Sequence, residues 1–354
     1  MELAAAEELS ERLGLDAADR YWVAGLDAAG APFCGVRIPD AVESAATLAR
    51  IGVAEADAAD VIATLPSPVR DPEWWWLLER SVHKIVSEMG EPDKLHVGWP
   101  DWTAATPGRP LGQRCFMAHV YLATLPYLGA WHVAHGIPEE VSLASFADLA
   151  RHMAIHRRVF GEAGVDASWW LTLSLRGEAF DLGRLQFTYF RLGHGDQAVW
   201  WYPPEAAAAL GSGFLHGDSC IGVHIPEGRP MTPEACDESF ALAAAFMQRY
   251  FPPPAGQQRR VATCWSWLLD DQLADILPAS SNIVRFQRRF ELVPGWVPGD
   301  ESVAEFVWRR QLPSQGPTPE WLDTLPQNTR LERALVAHLR DGGHFRVRSG
   351  WLDL

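Results

Sequence analysis

The sequence predicts an α+β protein in which an all-helical N-terminal domain precedes a domain built on a β-sheet with flanking helices. Apolar residues recur at helical spacing through about the first 165 residues. After residue 168, segments rich in aromatic and β-branched residues alternate with helical ones. A length of 354 residues suffices for two or three domains. We place the boundary at about 161–168 and expect domains over residues 1–165 and 166–354.

The helices of the first domain are predicted from periodicity and from start signals. Pro72 after Asp71 fits a capped helix start, and Ser142 fits another cap. Segment 115–137 has no Asp, Glu, Lys or Arg, but its histidines and Pro126 favour two buried helices broken near that proline over a membrane span. The predicted helices are 2–13, 40–50, 54–64, 72–89, 112–134 and 142–161.

The second domain alternates between extended and helical patterns. An amphipathic helix over 233–251 begins at a predicted N-cap, Thr232, followed by Pro233. Further helices are expected at 270–276, 280–287 and 328–340, the last capped by Asn328. The predicted strands are 169–175, 184–192, 197–202, 221–225 and 261–268, a closing hairpin formed by 289–292 and 303–310, and an extended segment at 345–352.

Composition and charge exclude several classes of protein. With 48% hydrophobic and 21% charged residues, the chain is globular rather than disordered. A net charge of −15 argues against a nucleic-acid partner, which basic residues would have to bind. The five cysteines form no CxxC pair, and the acidic start lacks the apolar core of a secretory signal. We expect a cytoplasmic protein with no membrane or nucleic-acid partner.

One connection in the second domain has the composition of an anion site. The apolar strand 221–225 leads through a loop with Gly228 and Arg229 to the helix that Thr232 caps. A helix start offers free backbone N–H groups to a phosphate, and an adjacent arginine strengthens the attraction. The other reading is an ordinary strand-to-helix connection.

Metal and nucleotide signals are weak. Asp148, His152 and His156 fall on one helical stripe, as some metal sites require, but neighbouring arginines disfavour a cation. His132 and His135 form an HxxH without the glutamate of a metalloprotease helix. No GxSxG, GxxxxGK[ST] or GxGxxG motif is present. We expect no metal.

The segments SLRGEAFDLGRLQF, GVHIPEGRPMTPE and CWSWLLDDQLADILPASSNIVRFQRRFEL, with the order of elements, resemble a group of two-domain acyltransferase-like proteins. In that group a helical domain precedes a domain of the GNAT (N-acyltransferase) superfamily. The resemblance is strongest over 167–312 and weak before residue 100. It implies a mixed sheet that binds acyl-CoA or acetyl-CoA between two splayed strands, with the pyrophosphate on the loop after the fourth strand. The matching cofactor-binding positions here are Ile225, Gly228, Arg229, Met231 and Thr232.

The implied reaction is attack of an amine on a thioester, which needs a proton acceptor and donors to the developing charge. His224 lies just before the loop and is the candidate base, unless it only bonds within the sheet. Cys264 and Ser266 could protonate the leaving thiolate or be small polar fillers. We therefore take His224, Cys264 and Ser266 as the candidate catalytic residues.

Three polar residues near the start of the second domain are candidates for substrate binding. Glu178 precedes a predicted turn and could bind an amine, or it could be a turn residue. Arg184 and Gln186 would share one face of their strand, opposite Leu185 and Phe187. That polar face fits either a cleft or a solvated surface.

These residues lead to two hypotheses. The first is an acyl-CoA-dependent N-acyltransferase that acts on an amine of a small-molecule or peptide acceptor. The alternative is a non-catalytic binding protein on a degenerate GNAT-like scaffold, because PEGRPM has one glycine and Pro230 removes an amide. That protein would use a cleft lined by some of the 17 tryptophans, which cluster at 74–76, 99/102, 169/170 and 200/201. The oligomeric state stays open.

Overall fold

The computed structural model describes residues 3–15, 19–28, 36–91, 108–192 and 202–354. The chain divides into two compact units, with the boundary between Asp181 and Leu182. This boundary lies beyond the expected 161–168, because segment 169–175 is helical rather than a strand. Leu171 and Leu175, four residues apart, are both fully buried, while Trp169 is 46% exposed. Positions 168, 171, 172 and 175 are all buried, which is the i, i+3, i+4, i+7 spacing of a helix rather than the alternation of a strand, so the predicted strand is wrong.

The first unit is helical up to its last few residues. Its core contains large aliphatic and aromatic side chains from all but the shortest helices. The helices are α1 (Leu3–Arg12), α2 (Asp19–Ala28), α3 (Ala41–Arg50), α4 (Glu55–Ala63), α5 (Pro72–Ser87), α6 (Leu111–Arg114), α7 (Phe116–Ala134), α8 (Glu139–Phe146), α9 (Asp148–Phe160) and α10 (Ser168–Leu175). A strand, β1 (Ala179–Leu182), spans the boundary.

Helix α7 differs from the prediction. It runs through Pro126 without a break, and the proline itself lies on an exposed face of the helix. Ser142 lies inside α8 and is not a cap; its hydroxyl bonds Pro138 O at 3.1 Å. Pro72 does start α5, although Asp71 makes no side-chain cap bond. Within the described residues, no helix has the length and apolar character that crossing a bilayer requires.

The second unit is a mixed sheet with flanking helices, as predicted. Its strands are ordered β2-β3-β4-β7-β5, and β6 also pairs with β7. Only the β3–β4 pair is parallel among the registered pairs of this described part. The elements are β2 (Leu185–Arg191), α11 (Pro204–Leu210), β3 (Ser219–His224), α12 (Pro233–Tyr250), β4 (Val261–Ser266), α13 (Leu273–Ile276), α14 (Asn282–Gln287), β5 (Glu291–Leu292), β6 (Val297–Pro298), α15 (Asp300–Trp308), α16 (Pro319–Asp323), α17 (Arg330–Arg340) and β7 (Arg346–Asp353).

The C-terminal part of this unit corrects two predictions. Segment 303–310 is not a hairpin strand: Val303, Ala304 and Trp308 are buried at helical spacing and belong to α15. The cap of α17 is Thr329 rather than Asn328, and Glu332 completes a capping box. The extended segment predicted at 345–352 is β7, which pairs with β4, β5 and β6. The strand predicted at 197–202 lies outside the described residues apart from Tyr202.

The two faces of the sheet are covered by different side chains. On one face Phe187 packs edge-to-face on Phe240 of α12, with ring centroids 5.8 Å apart. On the other face Trp351 packs edge-to-face on Phe214 at 4.9 Å. This second face also carries Cys220 and Val261 at one end of β3 and β4. Because side chains alternate, every second residue of β3 and β4 continues along this face toward the other end.

Lowering the pH from 6.5 to 4 is expected to destabilise the protein. Burial lowers the pKa of His119, His132 and His224 to about 4, whereas an unfolded histidine titrates near 6.5. In this window the unfolded chain binds more protons than the folded chain, so stability falls as the pH falls. Each histidine contributes up to about 1.4 kcal/mol per unit of pKa difference. Glu178, whose pKa burial raises to about 7, and Asp270, whose pKa burial also raises, act in the opposite direction, but the three histidines outweigh these two carboxyls.

Urea unfolding at pH 7, 5.5 and 4.5 measures this dependence. His119 Nε2 is 3.0 Å from Val61 O, so glutamine at position 119 retains a donor without a titrating group. His119→Gln should therefore flatten the pH dependence of the first unit. A wild-type stability that rises toward pH 4.5, or an unchanged slope in the variant, would contradict the argument.

Candidate active site

The parallel strands β3 and β4 are paired over only part of their length. Their register joins Cys220 to Val261 and ends at Gly222 and Thr263. Strand β3 then continues to His224, and β4 continues to Ser266. Within these two described strands the register joins no residues beyond Gly222 and Thr263, and we call this unpaired part the opening. This opening is where the resemblance places the thioester.

His224 lies at the opening and bonds to the neighbouring strand. Its Nε2 is 2.9 Å from Thr188 Oγ1 on β2. Burial lowers the pKa of the His224 imidazole to about 4, so the ring is neutral at physiological pH. Gln186, the direct partner of His224 in the register, is buried. Gln186, Thr188 and His224 therefore form one polar patch on the face of the sheet that carries Trp351.

The loop after β3 is fixed by two arginines. Arg184 Nη1 donates to Pro226 O at 3.0 Å, and Arg229 Nη2 donates to Gly183 O at 3.0 Å. The two bonds join loop 226–232 to the turn before β2. Gly228 has φ +140°, a conformation that favours glycine, and no neighbouring atom lies within 4 Å of a side chain built there.

The end of this loop starts helix α12 as the sequence predicts. Thr232 Oγ1 accepts a hydrogen bond from Ala235 N at 3.3 Å, and Pro233 is the first helical residue. Met231 is buried, while residues 227–230 are exposed. The exposed part of the loop therefore lies between two anchored ends.

Comparison with known proteins matches both parts of the chain. A family described as N-acyltransferase N-terminal domain matches residues 43–177, and one described as GNAT-like C-terminal domain matches residues 179–352. A crystal structure of an acyltransferase in complex with decanoyl-CoA is 35% identical, covers 99% of each chain and has a TM-score of 0.81. The chain belongs to this two-domain acyltransferase family.

Other solved acyltransferase structures are similar to this chain to the same extent. One, in complex with decanoyl-CoA and teicoplanin, is 36% identical with a TM-score of 0.79, and another, in complex with CoA and 10C-teicoplanin, is 36% identical with a TM-score of 0.80. Each covers 99% of this chain and 99% of its own. No curated protein matches the sequence. Family membership decides between the two hypotheses in favour of the enzyme.

Two predicted catalytic residues lie away from His224. In the β3–β4 register Gly222 lies beside Thr263, so strand alternation places Trp265 on the face of His224 and Cys264 on the opposite face. Cys264 is 2% exposed, and burial raises the pKa of its thiol to about 12. Ser266 Oγ accepts a bond from Leu268 N at 3.1 Å and caps the 3₁₀ helix that follows β4. The structure does not bring these side chains to the imidazole.

The three predicted substrate-binding residues divide between the two units. Glu178 belongs to the first unit, where its carboxylate lies 3.0 Å from the fully buried Arg176. Arg184 and Gln186 belong to the second unit, and both border elements of the site: the loop for Arg184 and His224 for Gln186. Arg184 itself lies in the turn before β2 rather than on the strand.

The helical stripe of Asp148, His152 and His156, which neighbouring arginines disfavour as a metal site, makes other contacts on α9. His152 lies between two carboxylates, 3.8 Å from Asp148 Oδ1 and 3.8 Å from Asp166 Oδ2. His156 Nδ1 bonds Glu162 O at 3.0 Å instead. Within the part of the chain that the structure describes, no group of three His, Cys, Asp or Glu residues is placed to hold a metal ion.

Sequence reasoning missed three residues on the face of the sheet around His224. Thr188 bonds His224, Gly222 lies between them, and Trp265 is 54% exposed on the same face. The alternation in RLQFTYF places Gln186 and Thr188 on the strand face opposite their apolar neighbours. The sequence could therefore have predicted that Thr188 shares a face with Gln186. Of the tryptophan clusters, Trp74, Trp75 and Trp76 pack partly buried on the first core, and residues 99, 102, 200 and 201 lie outside the described residues.

Proposed function

We propose that the protein transfers a medium-length acyl chain from acyl-CoA to an amine of a small-molecule acceptor of the teicoplanin kind. One observation carries the proposal: the match to acyl-CoA-bound acyltransferases extends over 99% of both chains at 35% identity. Two of the similar structures hold decanoyl-CoA with teicoplanin and CoA with 10C-teicoplanin. These pairs correspond to the two sides of a ten-carbon acyl transfer.

The CoA phosphates are proposed to bind at loop 226–232. Arg229 is exposed, and its guanidinium is held beside the loop by Gly183 O. Charge-assisted hydrogen bonds from arginine to phosphate are stronger than neutral ones, and they compensate for Pro230, which has no N–H to donate. Ile225, Gly228, Met231 and Thr232 would supply the backbone around the phosphates.

The thioester is proposed to lie at the opening between β3 and β4, beside His224. The amine nitrogen attacks the carbonyl carbon and a C–N bond forms, while the amine proton passes to His224. Backbone N–H groups of the unpaired strands stabilise the charge on the carbonyl oxygen. The C–S bond then breaks, and the CoA thiolate leaves and takes up a proton. Burial lowers the pKa of His224 to about 4, so the imidazole is neutral and has a lone pair for the amine proton. The same shift makes the ring a weak base, so the imidazolium must be stabilised as it forms.

Replacing Arg229 by alanine is expected to weaken CoA binding by about 10- to 100-fold, the loss of one charge-assisted hydrogen bond worth about 1.5–3 kcal/mol. Calorimetric titration of the pure protein with CoA and decanoyl-CoA measures the change. Arg249→Ala, at an exposed arginine near the other end of α12, is the matched control and should bind like wild type. Absence of CoA binding at millimolar concentration would overturn the proposed function. Equal CoA affinities of wild type and Arg229→Ala would contradict the proposed binding of the phosphates at this loop.

A further inference from the structure

The hydrogen bond between His224 and Thr188 runs diagonally across two strands. In the antiparallel register His224 is opposite Gln186, and Thr188 is opposite Gly222. The imidazole therefore lies back over Gly222 to place Nε2 at 2.9 Å from Thr188 Oγ1. The bond therefore satisfies Nε2 within the sheet and fixes the direction of the ring.

Gly222 provides the space for that bond. A Cβ atom built on Gly222 would lie 2.3 Å from Thr188 Oγ1 and 2.9 Å from His224 Nε2. Both distances are shorter than non-bonded atoms permit, so any side chain at position 222 would displace one partner. Three positions on two strands are thus matched to hold the imidazole in one orientation.

The position of the hydroxyl has a chemical consequence for the ring. A neutral imidazole carries hydrogen on one nitrogen and a lone pair on the other, and a bonded neighbour decides which. A threonine hydroxyl can donate to an Nε2 lone pair or accept from Nε2–H, so the contact fits either tautomer. In the second arrangement the lone pair lies on Nδ1, the only other nitrogen that can take a proton from the amine.

We infer that Thr188 is a positioning residue of this acyltransferase: its hydroxyl accepts a hydrogen bond from His224 Nε2–H and leaves Nδ1 as the proton acceptor. This inference rests on the proposed role of His224 as the base. When Nδ1 takes the amine proton, the ring becomes a cation, and the Nε2–H bond to Thr188 becomes charge-assisted. The hydroxyl therefore stabilises the protonated ring more than the neutral one.

The test compares Thr188→Val with Thr188→Ser. Valine keeps the shape of threonine and removes the acceptor, whereas serine keeps the hydroxyl. Thr188→Val is expected to lower kcat by about 10- to 100-fold, by analogy with the loss of a partner that orients a metal-bound histidine, with an unchanged KM for decanoyl-CoA. Thr188→Ser should stay within about threefold of wild type, since the bond to Nε2 is retained.

A second readout reports on the ring itself. The ¹⁵N shifts of imidazole distinguish the two neutral tautomers, and the resonances that disappear in His224→Gln assign those of His224. Wild type and Thr188→Ser should show hydrogen on Nε2, and Thr188→Val should lose this preference. Thermal unfolding of each variant separates this effect from a change in folding.

The outcomes separate the inference from the proposed function. Activity retained in His224→Gln would overturn the proposed base, and with it this inference. An inactive His224→Gln beside a Thr188→Val with wild-type kcat and tautomer would overturn the inference alone. Equal losses of kcat in the valine and serine variants, with equally lowered melting temperatures, would assign Thr188 a purely structural role and also overturn it.

Discussion

Replacing His224 by glutamine is expected to lower kcat for acyl transfer by a factor of about 10² to 10⁴, the usual contribution of a positioned general base. Glutamine has nearly the size of histidine and can still bond Thr188, so the strands should keep their register. What it lacks is a nitrogen that can take the amine proton. CoA binding should be unchanged, because the proposed phosphate contacts lie on the loop beyond His224 rather than on its ring.

Single-turnover transfer from decanoyl-CoA, measured beside a calorimetric CoA titration, separates chemistry from binding. His216→Gln, at an exposed histidine of the same unit, is the matched control and should retain wild-type kcat. Because the pKa of His224 is about 4, its protonation should not limit kcat/KM between pH 6 and 8. A His224→Gln enzyme within about threefold of wild type would assign the proton transfer to another group.

Local signals were sufficient to predict the loop and its helix. Thr232 and Pro233 are adjacent cap and first-turn residues, so neither depends on how the rest of the chain packs. The strand before the loop is similarly local: the apolar run IGVHI corresponds to β3 with a shift of one or two residues. The order of β2, β3, α12 and β4 followed from these segments. The mixed sheet followed from the resemblance.

Long-range pairing decided what the sequence could not predict. Whether Cys264 faces His224 depends on the register of β3 against β4, and a shift of one residue would reverse the answer. The Thr188 contact likewise depends on the antiparallel register and on the space above Gly222. The prediction of a strand at 169–175 was wrong for another reason. A run of seven mostly apolar residues fits a buried strand and a buried helix equally well until its packing partners are known.

The environment of Glu178, a charged residue, also depends on long-range packing that the sequence does not reveal. A carboxylate before a predicted turn looks available to a substrate amine, but the fold buries it beside Arg176 in the first unit. Arg176 Nη1 also lies 3.3 Å from Glu88 Oε2, and Lys84 bonds the other oxygen of Glu88. Two basic and two acidic side chains therefore neutralise one another inside this unit, and all four are at least nine-tenths buried.

Replacing Arg176 by methionine is expected to cost about 3–5 kcal/mol of unfolding free energy, the usual effect of removing one partner from a buried ion pair. The variant leaves the carboxylates of Glu88 and Glu178 with Lys84 as their only cation in the cluster. Burial already raises the pKa of Glu178 to about 7, and loss of the arginine raises it further. A carboxyl with a raised folded pKa destabilises the fold increasingly as the pH rises from its unfolded value near 4.3. The deficit of Arg176→Met should therefore be larger at pH 8 than at pH 6.

Urea unfolding at both pH values tests this expectation. Arg50→Met is the matched control in the same unit, because Arg50 pairs with Glu139 at an exposed site, where such pairs contribute about 0–1 kcal/mol. The double variant Arg176→Met/Glu178→Gln should recover part of the loss, since it removes the carboxylate that the arginine neutralised. It should also lose most of the pH dependence, because Glu88 keeps Lys84 as its partner. A deficit no larger than that of Arg50→Met, or one that shrinks toward pH 8, would mean that Arg176 does not neutralise these carboxylates.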